Sequence, residues 1–140
     1  MDELNRGTDR VFTMKQVCER VGMTYEALKF YCNEGLVPNV KRDKNNRRIF
    51  DEQDVRWIED LSCLKRCGMG IREMKEYLGL CLEGPSTIPE RMEIVRRKKA
   101  ALLEEMRELK RSVEYADWKL GFYSDVLEGR IEYRSNLIKG

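Results

Sequence analysis

Five basic side chains, Lys41, Arg42, Lys44, Arg47 and Arg48, fall between Val37 and Phe50 against a single acid, Asp43. A cluster of this kind meets what a nucleic-acid backbone requires: it neutralises closely spaced phosphates and releases their counterions. Just upstream, a short helical stretch offers Tyr25, Glu26, Lys29 and Phe30 on its outer side, side chains long enough to reach base edges and phosphates. Lys15 adds a cation at the start of the preceding segment. The plainer alternative is a helical core with an incidentally basic, solvated loop.

Thiols are the other reactive groups. The five cysteines are Cys18, Cys32, Cys63, Cys67 and Cys81, and none forms a C-x-x-C pair. Cys18, Cys67 and Cys81 lie on apolar helix faces and read as small core residues. Cys32 closes its helix and is expected to be exposed, as is Cys63 at the edge of an apolar arc. Arg66, three residues after Cys63, can stabilise a thiolate, while Asp60 opposes it. Cys63 and Cys67 are a helical turn apart, farther than a disulfide tolerates without unwinding. With no histidine in the chain, imidazole catalysis is excluded. Without histidine or a second thiol pair at ligand spacing, no metal site is expected. No phosphate loop or nucleophile motif appears, so neither an enzyme nor a cofactor is expected.

The elements that must hold these residues can be traced along the chain. Thr13 and Gln16 form a capping box, and Met14, Val17, Cys18 and Val21 share one helical face. Gly22 ends that helix. Thr24 caps a second helix, which turns Ala27, Leu28 and Tyr31 inward and stops at Gly35. Two short helices joined by a glycine-containing turn fit a helix-turn-helix. Pro38 and Val40 then argue against helix, and Asp43 to Asn46 is turn-rich, so the basic cluster reads as the tip of a small hairpin, a wing. Asp51 caps a third helix to about Cys67, and a fourth runs from about Ile71 to Leu82.

After Gly84-Pro85-Ser86 the pattern changes. Ile88, Met92, Val95, Lys99, Leu102, Met106, Leu109, Val113, Ala116, Leu120, Tyr123 and Leu127 alternate at spacings of four and three, and only Lys99 is polar. That is a coiled-coil seam on a helix spanning roughly 60 Å. An N-terminal region of this size cannot cover it, so a partner helix is needed and a homodimer is inferred. The seam alone leaves parallel and antiparallel pairing open. The adjacent run Arg96 to Lys99 reads as a solvated helix face, with Lys99 as a register or orientation device.

The expected organisation is therefore a disordered arm over 1–10, a winged helix-turn-helix region over 11–83, a linker over 84–87, a coiled-coil helix over 88–127 and a tail over 128–140. Net charge is only +2, so the local basic patch, not the overall balance, points to a partner. No apolar run long enough for a membrane span exists, and no secretory signal is visible. The odd cysteine count without disulfide spacing fits a reducing cytosol, so a cytoplasmic protein with no membrane partner is expected.

Taken together, Phe12–Val17, Thr24–Tyr31 with Glu34–Leu36, Arg47–Phe50 leading into Asp54-Val55, and Gly68–Leu78 resemble the MerR family of bacterial regulators. The resemblance runs from about Val11 to Leu127. It implies a mainly α fold: a winged helix-turn-helix, two further helices forming a second wing, and a long antiparallel coiled-coil dimerisation helix. It also implies a regulator that binds a palindromic promoter site in double-stranded DNA and bends and untwists an overlong spacer so that RNA polymerase can engage. Lys29 falls where the family usually has a backbone-contacting arginine, Tyr31 matches a backbone-contacting tyrosine, and Arg48 matches the wing arginine. Glu26, Asn46 and Arg47 depart from the usual basic residue, glycine and tyrosine. On this resemblance and the basic cluster, the expected DNA contacts are Lys15, Tyr25, Lys29, Tyr31, Lys41, Arg42, Arg47 and Arg48. The stretch Leu80–Arg91 is similar to a small branch, without a large effector domain, that senses aldehydes, electrophiles or thiol stress. Cys63 falls where some of that branch place a reactive cysteine, which makes it the candidate sensor thiol. The competing reading is a coiled-coil interaction protein whose basic loop meets an acidic partner without specific DNA binding.

Overall fold

Each short helix begins at a side chain able to satisfy its free N–H groups, or at a glycine. In the computed structural model, which describes residues 10–139, the first elements are β1 (Phe12–Thr13) and α1 (Met14–Val21). The Thr13 hydroxyl accepts from the Gln16 N–H, and the Gln16 side chain accepts from the Thr13 N–H, closing the capping box. Gly22 ends α1 at φ 76°, where a side chain would be strained. Thr24 caps α2 (Tyr25–Asn33) through the Ala27 N–H. The wing follows as β2 (Lys41–Arg42) and β3 (Arg48–Phe50), then α3 (Glu52–Arg66) and α4 (Ile71–Glu83). The expected arm lies outside the described residues except for Arg10.

The hairpin is part of a three-stranded antiparallel sheet ordered β1-β3-β2, with Phe12 opposite Phe50, Thr13 opposite Ile49, and Arg42 opposite Arg48. β1 is a finding the sequence pattern did not show, because two residues are too few for any alternation to appear. Through it, the wing is fastened to the residue that caps α1.

Val17, Leu28, Leu36, Phe50, Val55, Ile58, Leu61 and Met74 are fully buried and form one core under both helix pairs and the wing. Trp57 Nε1 donates to the Leu36 carbonyl at 2.6 Å, tying α3 to the loop that leaves α2. Arg20 pairs with Glu52 at 2.7 Å, tying α1 to α3 and lowering the pKa of the Glu52 carboxyl. Leu61→Ala should cost about 2–5 kcal/mol, the usual range for truncating a leucine in a close-packed core. Chemical denaturation monitored by circular dichroism measures it; a loss below ~1 kcal/mol would show that the site relaxes around the cavity.

The segment 84–87, expected as a linker, is an ordered corner. Pro85–Thr87 forms a 3-10 turn. The buried Thr87 hydroxyl lies within hydrogen-bond distance of the Leu80 and Gly84 carbonyls, and Arg91 donates to Thr87 Oγ1 at 3.0 Å and to the Gly84 carbonyl at 2.7 Å. A Pro-Ser pair after glycine looks like flexible composition, but Thr87 and Arg91 supply the polar partners that fix it.

Helix α5 (Ile88–Leu127) is continuous over 40 residues. The chain divides into two compact units, one ending at Lys99 and one beginning at Ala100. In the first, Ile94 packs against the core and Lys98 pairs with Glu73 at 2.7 Å. Lys98 is therefore not part of a solvated face as the basic run suggested; its side chain is 23% exposed and committed to α4. In the second, a short tail without regular structure follows Leu127 among the described residues.

Candidate nucleic-acid interface

The wing tip is built by its single acid. Asp43 Oδ1 accepts the N–H groups of Asn45 and Arg47, both at 2.9 Å, while the Asp43 and Arg47 backbones close the loop. Asn46 adopts φ 61°, the one left-handed non-glycine residue among those described, a conformation asparagine tolerates better than most residues. Its carbonyl accepts from Arg42 Nη1 at 2.9 Å. Asp43 thus organises the basic tip as well as offsetting its charge. It leaves Lys41, Arg42, Lys44 and Arg47 exposed around it.

Arg48 is different. It is half-buried, and its Nη2 donates to Asn33 Oδ1 at 2.6 Å, linking β3 to the end of α2. Nothing in the spacing pointed to Asn33, because the two residues are fifteen apart and meet only when the wing folds back on the helix.

On α2, Tyr25, Glu26, Lys29 and Phe30 are all exposed, and Lys15 is exposed on α1. Tyr31 is not available in the same way. It is 3% exposed, part of the core cluster, and burial raises the pKa of its phenol. Its ring packs in the core and supports α2. Helical spacing turned this side chain inward, and the inward face of α2 claims it. Beside it, Glu26, Phe30, Lys65, Met69, Ile71 and Met74 line an open groove of about 420 Å³.

A sequence profile described as MerR HTH family regulatory protein matches residues 12–80, the stretch that holds these elements. An uncharacterized HTH-type transcriptional regulator of Haemophilus influenzae is 34% identical over 112 residues, covering 80% of this chain and 83% of its own length. The chain belongs to the MerR family. HTH-type transcriptional regulator AdhR of Bacillus subtilis is 36% identical over 89 residues, 64% of each chain. Among solved structures, HiNmlR, a MerR family regulator lacking the sensor domain and bound to promoter DNA, superposes with a TM-score of 0.77 at 32% identity. That match covers 85% of this chain and 90% of the other. These relatives are transcriptional regulators and not enzymes, and this MerR-family chain is likewise a DNA-binding transcriptional regulator.

All five cysteines of this MerR chain are free. Cys63 is exposed, and Arg66 Nη2 lies 3.2 Å from its sulfur, the contact the i, i+3 spacing allowed. Cys32 is not exposed as expected. It packs against the core, and burial raises its thiol pKa more than Arg48 and Arg42 lower it. Cys18, Cys67 and Cys81 are half-buried. No group of acids and cysteines among the described residues has metal-site geometry, and no helix is long and apolar enough to cross a membrane.

Proposed function

We propose that this chain binds a promoter as a homodimer, on a two-fold-symmetric site in double-stranded DNA, and distorts that DNA so that RNA polymerase can engage. The observation that carries the reading is the uncovered seam. Ile88, Met92, Val95, Met106, Leu109, Val113, Leu120, Tyr123 and Leu127 are all exposed along α5. A row of large apolar side chains this long calls for a partner, and a two-fold partner repeats the reading head on an inverted half-site. Lys99 favours antiparallel pairing. In-register parallel helices would set Lys99 against itself inside the seam. In the antiparallel arrangement, reflection of the seam about its midpoint sets Lys99 against Ala116 and brings Arg96 near Asp117. Lys15, Tyr25, Lys29, Lys41, Arg42, Arg47 and Arg48, with the Tyr31 hydroxyl, are the proposed DNA contacts. The relative HiNmlR, bound to promoter DNA, supports the reading. A gel shift of the chain against its own upstream region, with unrelated duplex as competitor, tests it. Sequence-selective retention of one dimer per site is expected. A dimer that ignores duplex DNA at low salt would favour a coiled-coil interaction protein instead.

A second reading rests on Cys63: an exposed thiol beside a guanidinium is placed to react with electrophiles in a reducing, cytoplasmic setting. Mild electrophile treatment followed by mass spectrometry should label Cys63 before the four half-buried thiols, and Cys63→Ser should abolish any effect of the treatment on DNA binding. Equal labelling of all five, or a variant that responds like the parent, would remove the sensor role.

A further inference from the structure

One exposed side chain of α2 has the wrong sign for a phosphate. Glu26 is the only acid in that helix, and it is exposed one turn before the exposed Lys29. The exposed cations of α1, α2 and the wing, Lys15, Lys29, Lys41, Arg42, Lys44 and Arg47, all suit a polyanion. Glu26 does not: near phosphate it lowers affinity for every duplex alike. Among the described residues no cation lies within ion-pair distance of it, although Lys65 lines the same groove. Its charge therefore does not fasten α2 to a neighbouring element.

The position of Glu26 supplies a use for that charge. It is the second residue of the second helix of the helix-turn-helix, and the N-terminal residues of such a helix meet base edges in the major groove. The donors on offer there are the N4 amino group of cytosine and the N6 amino group of adenine. Adenine sets its N7 acceptor beside that amino group, where it repels a carboxylate. Cytosine has a C–H at the matching place. A carboxylate therefore selects cytosine. A first-turn glutamate also suits the helix dipole, but that benefit is blind to DNA sequence.

We infer that Glu26 is a specificity-determining residue that reads a cytosine, its carboxylate accepting a hydrogen bond from the N4 amino group. The inference rests on the promoter-binding reading, in which α2 enters the major groove. The acid lowers affinity for DNA in general and recovers it at the correct base, so it widens the gap between the promoter and other duplex. The surrounding cations supply the attraction that offsets its repulsion, and they carry no sequence information of their own.

Selection from a randomised duplex pool by the full chain, followed by sequencing, gives the base profile of the parent, Glu26→Gln and Glu26→Ala. The parent is expected to enrich cytosine at a position where Glu26→Gln, which keeps the shape and gains a donor, prefers adenine and Glu26→Ala has no preference. Replacing that cytosine by pyrimidinone, which lacks the N4 amino group, should weaken the parent about tenfold, the scale of one base contact, and leave Glu26→Ala unchanged. Glu26→Ala should also bind a scrambled duplex more tightly than the parent at the same salt. Glu26→Gln, isosteric on an exposed face, keeps the test independent of folding. Profiles that agree at every position, or a changed position whose parental base is not cytosine, overturn the inference alone. A parent chain that selects no sequence overturns it together with the promoter-binding reading.

Discussion

Leu109→Arg is expected to leave the chain monomeric at micromolar concentration and to weaken binding to its own promoter by about 100-fold or more, because one head cannot reach both half-sites. Leu109 is 66% exposed in the single chain, so arginine there costs the folding of either unit almost nothing. In the pair it lies at the centre of the seam, within two residues of the midpoint of the reflection, where it meets Met106 of the second helix. Two-fold symmetry introduces the change twice within one turn. Each guanidinium must then be desolvated without a partner, at a cost of several kcal/mol, or force the helices apart. Sedimentation analysis gives the mass, and a gel shift at fixed salt gives the affinity. Circular dichroism separates loss of pairing from loss of fold. A variant that remains dimeric would mean that the seam is not the interface.

The seam was legible because its signal is long: twelve positions at a fixed spacing outweigh any local ambiguity, and the helix begins and ends where the pattern does. The caps at Thr13, Thr24 and Asp51 were legible for a different reason, since each depends on a side-chain oxygen and a backbone N–H only three residues apart in the chain. What was not legible depends on tertiary meetings. Strand β1 exists because Phe12 meets Phe50 across the sheet. Arg48 finds Asn33, and Lys98 finds Glu73, over separations that leave no periodic trace. Tyr31 shows the tension between the two kinds of information. Helical spacing turned it toward the core, and the family resemblance offered it to DNA. The packing gives its ring to the core. Composition misled at 84–87, where glycine, proline and serine form a rigid corner once Thr87 and Arg91 are in place.

Arg48→Ala is expected to weaken binding to every duplex by on the order of tenfold, the value of a charge-assisted hydrogen bond, and to leave sequence preference intact. It should also lower the slope of log affinity against log salt by about one for each Arg48–phosphate contact in the complex. The hydrogen bond to Asn33 decides how this result is read. Arg48 is held in place before DNA arrives, so its side-chain entropy is partly spent in folding and less is lost on binding. Asn33→Ala removes the holder and keeps the charge. It should weaken binding less than Arg48→Ala and leave the salt slope unchanged, because the same phosphate is neutralised by a less constrained guanidinium. Lys44→Ala, at the exposed tip, serves as the comparison for a free cation: any loss of affinity there should come with the same slope change per lost contact, without dependence on Asn33. The measurement is a salt titration of binding to the promoter and to a scrambled duplex for all three variants. If Arg48→Ala and Asn33→Ala lower affinity equally with no change in slope, Arg48 acts by fastening the wing to α2 and not by touching phosphate.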